Sequence, residues 1–182
     1  MWPKQLKYTL LLIAIITIFA WLDGCVFLVD EAPVVQGFTR VKVTKVVDGD
    51  TAHVLMPDGN EEKLRFIGVN SPEIDHPTKG LEPYGPEAET FTRSQLEGKN
   101  IWLEFDVGER DQYGRMLAYL WLEIPEEFSD REIRAKMFNA QLLLEGYAVQ
   151  VIFEPNLKYV QLFADYEAEA QKAGRGLWSL PE

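Results

Sequence analysis

Three side chains in the first half of this sequence have the types and spacing for phosphodiester chemistry: Asp50, Arg65 and Glu73. Asp50 closes the run Asp48-Gly49-Asp50-Thr51. A hairpin turn needs only Asp48 and Gly49, and aspartate is a poor strand former. A second carboxylate just inside the following strand therefore asks for a reason beyond turn chemistry. Arg65 leads Arg65-Phe66-Ile67-Gly68-Val69-Asn70-Ser71-Pro72-Glu73. Period-two alternation places it with Ile67 and Val69 on a core-directed face, where a guanidinium is costly unless it meets an anion or lies at a barrel mouth. Its planar fork matches a phosphate, while an internal partner such as Glu73 is the structural alternative. Glu73 follows Pro72, which stiffens the chain and restricts Ser71. A carboxylate held at a fixed angle past a strand end can act as a general base on water or as a metal ligand. In the second half Arg115 follows Asp111-Gln112-Tyr113-Gly114. The glycine permits close backbone approach, and Tyr113 can stack on a base or sugar. Two arginines on one site would stabilise charge developing on a phosphoryl group; pairing of Arg115 with Asp106 or Asp111 is the bland alternative. The combined expectation is a metal-assisted phosphodiesterase.

The bulk of the chain bounds that expectation. At 182 residues, 47% hydrophobic and 12% aromatic, it suits one domain plus a small segment. Its net charge is -11, which argues against broad non-specific affinity for nucleic acid and points to a local site for any phosphate binding. Cys25 is the only cysteine, so no intramolecular disulfide forms. His53 and His76 have no cysteine cluster near them, and zinc is not expected. Walker-type loops and nucleophile elbows are absent from the sequence.

Residues 1–29 read as a membrane-targeting segment. Lys4 and Lys7 precede the uncharged apolar run Tyr8–Leu22, the layout of a signal peptide or an uncleaved membrane anchor. Leu22-Asp23-Gly24-Cys25 loosely resembles a lipobox, so a lipoprotein attached through Cys25 is a third reading. Residues 30–36 read as a linker and 37–182 as the folded domain.

Within that domain, Phe38–Val47, Thr51–Met56 and Lys63–Val69 alternate as strands joined by Asp48-Gly49 and by Pro57-Asp58-Gly59-Asn60. Asn70–Tyr84 reads as a loop, and Gly85-Pro86 opens a helix over Glu87–Leu96. Asn100–Asp106 and Arg115–Leu122 are the fourth and fifth strands. Ser129-x-x-Glu132 caps a helix from Asp130 to Glu145 that ends at Gly146. Tyr147–Phe153 is extended, Leu157–Ala173 is the last helix, and Leu177 and Trp178 fold back. The expected class is α+β: an OB-type five-stranded barrel with three helices.

Taken together these segments resemble the staphylococcal nuclease (thermonuclease) family. The matching pieces are Val47-Asp48-Gly49-Asp50-Thr51, Arg65 to Glu73, Tyr84-Gly85-Pro86-Glu87-Ala88, Asp111 to Tyr119, Asn139 to Tyr147 and Gly176-Leu177-Trp178-Ser179. They span roughly Val41 to Ser179 in the family's order. The resemblance implies an OB-fold barrel and calcium-dependent hydrolysis of DNA and RNA, single strands favoured, to products with 3′-phosphates. It assigns catalysis to Arg65, Glu73 and Arg115, with Glu73 as general base and the arginines on the phosphate. It assigns calcium to oxygens of Asp50, Asn70 and Ser71, and substrate contacts to Tyr113 and Lys79. It also implies an exported monomer at the cell envelope or outside the cell. Three departures stand out. Asn70 replaces the aspartate of the best-known member, which removes one formal charge from the metal shell and predicts weaker calcium binding. The loop Asp75–Pro83 keeps only Lys79 as a cation, and Val151 and Phe153 replace nucleotide-contacting tyrosines. The alternatives are a catalytically silent module of this fold that binds nucleic acid or protein, and an OB-type domain for another exported ligand.

Overall fold

Alternating valines and short turns drive the barrel. In the computed structural model, which describes residues 36–74 and 80–180, β1 (Thr39–Val46) buries Val41, Val43 and Val46. It pairs antiparallel with β2 (Thr51–Leu55), which pairs antiparallel with β3 (Glu61–Phe66). The first three barrel strands therefore form the expected meander. The other two, β5 (Asn100–Glu104) and β6 (Met116–Trp121), close the barrel in the order β1-β2-β3-β6-β5, with β3 and β6 parallel. This is an OB-type α+β fold.

Two expectations about elements are corrected. The third strand does not run to Val69 but ends at Phe66, because Gly68 adopts φ +80° and turns the chain. Val69–Asn70 then forms β4, which pairs with β7 (Val149–Gln150) in a separate two-stranded sheet. A side chain at Gly68 would be strained by that φ, and its Cβ would lie 2.6 Å from ring carbons of Phe163. The break also changes the facing of Arg65. It does not share a face with Ile67 and Val69; its flanking residues Leu64 and Phe66 enter the core.

The expected helix Asp130–Glu145 is two helices, α2 (Asp130–Lys136) and α3 (Phe138–Leu144). Met137 between them leaves helical geometry at φ -88°, ψ 119°. This turns the Lys136 carbonyl to accept from Leu122 N–H at the end of β6, 2.8 Å away, and buries Met137 against the barrel. Ser129 caps α2 by accepting from Glu132 N–H, but the Glu132 carboxylate accepts from Glu126 N–H, so the capping box is half formed. With α1 (Gly85–Leu96) and α4 (Val160–Ala173) the described residues hold four α-helices where three were expected. A 3₁₀ turn over Gly176–Ser179 carries Leu177 and Trp178 back against Gly146.

The core joins the barrel interior to the inner faces of α3 and α4. Phe66 meets Phe138, and Tyr119 meets Tyr159 and Phe163 edge to face. Asn139, fully buried, ties α3 to the barrel: its Oδ1 accepts from Leu120 N–H and its Nδ2 donates to the Ile67 carbonyl, each at 2.8 Å. Among the described residues no helix is long and apolar enough to cross a membrane. The targeting segment with Lys4, Lys7, Tyr8–Leu22 and Cys25 lies outside the described residues, as does most of the linker.

Candidate active site

The turn between β1 and β2 is the floor of the site. The Thr51 carbonyl accepts from Val47 N–H (2.9 Å) and Asp48 N–H (3.3 Å), and Asp48 Oδ1 accepts from Asp50 N–H at 3.0 Å. Glycine is needed between the two carboxylates because a Cβ at Gly49 would lie 2.6 Å from Cβ and Oγ of Ser71. From α1, Thr92 Oγ1 donates to the Gly49 carbonyl at 2.8 Å and pins the turn from outside.

Asp50, 5% exposed, joins three elements through its carboxylate. Oδ2 accepts from Ser71 N–H at 2.8 Å; Oδ1 accepts from Thr51 Oγ1 at 2.9 Å and meets Arg65 Nε at 3.1 Å. Arg65 is equally buried and almost wholly engaged. Nη1 donates to the carbonyls of Phe66 and Val69, both at 2.7 Å, and Nη2 donates to Asn70 Oδ1 at 3.1 Å. Its guanidinium carbon sits 5.1 Å from the centre of the Phe153 ring. The turn at Ile67-Gly68 thus folds the strand end around the arginine. Burial presses the guanidinium below its ordinary pKa, Asp50 raises it, and Arg115 lowers it again. One N–H of Nη2 is left for a ligand.

Arg115 stands just ahead of β6 and is held differently. Asp111 Oδ2 accepts from its Nε at 2.6 Å, while Asp111 Oδ1 accepts from the backbone N–H groups of Tyr113 and Arg115, both at 2.9 Å. Burial pushes the Asp111 carboxyl up, but these bonds outweigh it and leave it below its ordinary value. Arg115 Nη1 and Nη2 have no hydrogen-bond partner among the described residues. Tyr113, 75% exposed, lies with its ring centre 5.5 Å from the Arg115 guanidinium carbon. The pairing with Asp111 is real, yet it uses only the Nε edge and leaves the fork open.

Glu73 is half-buried, and its backbone is clasped on both sides by Glu82. Its N–H donates to Glu82 Oε2 at 3.0 Å, and its carbonyl accepts from Glu82 N–H at 2.9 Å. The Glu73 carboxylate has no hydrogen bond or ion pair with any described residue, and it acts electrostatically on both Arg65 and Asp48. The structure therefore brings Asp50, Arg65, Asn70 and Ser71 into direct contact, with Glu73 and Arg115 in electrostatic reach. Lys79 and His76 lie outside the described residues.

Three participants were not singled out from sequence. Asp48 is more than a turn former: burial and then the charge of Asp50 raise its carboxyl to about 7. The pair of acids about Gly49 was the available signal. Glu82 has no local signal, since it reaches Glu73 across a loop. Phe153, noted only as a replacement, supplies the ring face that covers Arg65.

Among the described residues no group of three or more His, Cys, Asp or Glu side chains is arranged to hold a metal. The expected donor set contains a single acid, so such a group is not required by it. Asp50 Oδ2 has one acceptor position beyond its bond to Ser71 N–H, and Ser71 offers a buried hydroxyl beside it. Asn70 adds an amide oxygen already shared with Arg65. The set is all oxygen, with Glu73 in electrostatic reach, and it fits a hard divalent cation such as calcium.

Comparison with known proteins gives the family. A family model described as staphylococcal nuclease homologue matches residues 63–180. The thermonuclease of Staphylococcus hyicus is 39% identical over 138 residues, covering 76% of this chain and 75% of that protein. The thermonuclease of Staphylococcus intermedius is 35% identical over 183 residues, covering 96% and 98%. An endonuclease of Bacillus subtilis is 33% identical over 142 residues, covering 77% and 62%.

Proposed function

The chain belongs to the staphylococcal nuclease family, and from that premise we propose that it is a calcium-dependent nuclease. It hydrolyses DNA and RNA, with single strands favoured, leaving 3′-phosphate products. Arg115 offers the open face of its guanidinium to two phosphate oxygens, with Asp111 fixing its angle. Arg65 contributes its remaining N–H and its buried charge. Glu73, its carboxylate without a partner among the described residues and its backbone held by Glu82, takes a proton from the attacking water as oxygen adds to phosphorus. The bond to the 5′-oxygen breaks, and that oxygen takes a proton from solvent to leave as the 5′-hydroxyl. Asp50, Asn70 and Ser71 would hold calcium, which when bound would neutralise phosphate charge as a Lewis acid.

The observation that carries this reading is the open fork of Arg115 and a Glu73 carboxylate without a partner among the described residues, both in electrostatic reach of Arg65. Digestion of single-stranded DNA with calcium or with a chelator tests it. Arg115→Ala should lose about 10²–10³ in kcat, and Glu73→Gln should lose activity while retaining its fold. Full activity in the chelator, or in either variant, would refute the mechanism. Binding without cleavage at every calcium concentration would leave a silent module instead. Calcium titration of Asn70→Asp should saturate at lower calcium than the parent, because a formal charge returns to the donor set.

Export is part of the proposal. It is supported by Lys4 and Lys7 ahead of Tyr8–Leu22, with retention through an uncleaved anchor or lipidated Cys25 as the membrane-bound forms. A monomer is expected, and protease accessibility on intact cells would test location.

A further inference from the structure

Among the described residues several cations have a carboxylate partner: Arg65 with Asp50, Arg110 with Glu62, Arg115 with Asp111 and Lys158 with Glu104; Arg131 on α2 and Lys172 on α4 have none. Arg40, Lys42, Lys45, Lys63 and Lys99 have no carboxylate partner within ion-pair distance among the described residues. All five lie on or at the edge of β1, β3 and β5, whose alternate residues fill the core. The register places Arg40, Lys42, Lys45 and Lys63 on one face, while Lys99 lies just ahead of β5. Lys45 opposes His53, which opposes Lys63, so a row crosses three strands; Arg40 opposes Trp102 and Lys42 opposes Asn100 on the other edge of β1. Neighbouring strands are about 4.8 Å apart and alternate residues about 7 Å along a strand, so these charges form one patch.

Such clustering has a cost. On a chain of net charge -11, counter-charges were plentiful. Yet Glu61 is the one carboxylate that β1, β2 and β3 turn outward there, and it accepts from Thr44 Oγ1 at 2.6 Å. Glu97, held by Arg93 and Val46 N–H, reaches Lys45 only electrostatically. An aromatic face is also present, for the Arg40 guanidinium carbon lies 5.9 Å from the centre of Trp102. The patch adjoins the site directly. Lys63 precedes Arg65 by two residues and so lies on the same side of β3, while Arg65 opposes Thr51 in the next register step.

We propose that the outer face of β1, β2, β3 and β5 is an exosite for single-stranded nucleic acid, engaging substrate phosphates beyond the scissile bond. The identity of the polyanion rests on the nuclease reading above. The exosite gives local attraction on a protein whose overall charge repels nucleic acid, and it extends the substrate track from Arg65 along Lys63, Lys45 and Lys42.

The test compares the parent with a Lys42→Gln, Lys45→Gln, Lys63→Gln variant, all exposed positions remote from the core. Binding of a labelled long oligonucleotide is measured in chelator across a salt series, and cleavage in calcium on that oligonucleotide and on a trinucleotide. The expected results are a several-fold rise in KM on the long substrate and unchanged kinetics on the trinucleotide. The slope of log affinity against log salt should become shallower by about 0.7 per lysine removed. Unchanged long-substrate KM and slope would overturn the exosite and leave the nuclease reading intact. Binding with the expected slope change but no cleavage by the parent would sustain the exosite and sink the nuclease reading. Vesicles rich in anionic lipid are the control. Loss of vesicle binding alone, with oligonucleotide binding intact, would overturn the proposal in favour of a membrane surface.

Discussion

Asp50 is a candidate metal ligand, but its first physical role in this fold is to neutralise Arg65, and a double-mutant cycle separates the two. Both residues are 5% exposed. Asp50→Ala leaves a buried guanidinium with only the Phe66 and Val69 carbonyls and Asn70 Oδ1 as partners, and strips Ser71 N–H and Thr51 Oγ1 of their acceptor. Breaking a buried pair in this way costs about 3–5 kcal/mol. Arg65→Ala leaves a carboxylate that still accepts two hydrogen bonds and can take up a proton, so its cost should fall toward about 3 kcal/mol. The double variant removes both charges, and the single costs should exceed their joint cost by about 2 kcal/mol or more. Urea denaturation at neutral pH in chelator, with unchanged m-values, provides the measurement. Costs that add within about 0.5 kcal/mol would refute the reasoning, because the pair would then not be coupled. If the cycle behaves as expected, loss of activity in Asp50 variants cannot be assigned to metal binding until the folded fraction is known.

Three further outcomes follow from the same geometry. Gly68→Ala should destabilise by about 1–3 kcal/mol from the left-handed backbone alone, with more from overlap with Phe163, and its thermal midpoint should drop visibly; a midpoint equal to the parent would mean that the turn relaxes freely. Asn139→Ala should cost about 2–6 kcal/mol by leaving Leu120 N–H and the Ile67 carbonyl unsatisfied, and a loss under about 1 kcal/mol in urea would show that water replaces the amide. The phenols of Tyr119, Tyr159 and Tyr166 are pushed up first by burial, then by Asp106, Glu104 and Asp130 in turn. Their folded values lie above the unfolded value of about 10, so the stability they contribute is whole below that pH and is lost as pH rises beyond it. Carbon-13 NMR of labelled tyrosine should show them ionising only with loss of the native circular dichroism; earlier ionisation would contradict their burial.

The barrel was legible because its causes are local. Val41 and Val43 alternate, and Asp48-Gly49 and Asp58-Gly59 are turn formers that need no tertiary help. The failures share a different cause. Ile67 and Val69 look like a continuation of β3, and only the packing of Phe163 and the bond from Asn139, both remote in sequence, make Gly68 a corner. Met137 has good helix propensity, yet α2 and α3 separate there because the end of β6 competes for the Lys136 carbonyl. Of the site, residue types were readable and assignments of partners were not. Asp111 was one of two possible acids for Arg115, and Glu82 was not distinguishable from any loop glutamate.

The two arginines, equivalent on the page of the sequence, divide their work in the fold. Arg65 commits Nε and Nη1 to protein acceptors and one N–H of Nη2 to Asn70. Its freedom is small, its burial high, and a lysine in its place would lack the planar fork that fills these positions. Arg115 commits only Nε and keeps its terminal nitrogens for a ligand. Any phosphate gripped by two parallel bonds must therefore be gripped by Arg115, while Arg65 acts as a buried positive charge that also organises the turn carrying Asn70, Ser71 and Glu73. Asn70 gains a second meaning from this arrangement. An aspartate there would face Arg65 Nη2 as a second anion beside Asp50 and compete with substrate phosphate for the guanidinium, whereas an amide oxygen orients Arg65 without neutralising it. On the proposed mechanism, the loss of one charge from the metal donors would be offset by a more available positive charge for phosphate, and the two effects separate experimentally as calcium affinity against substrate KM.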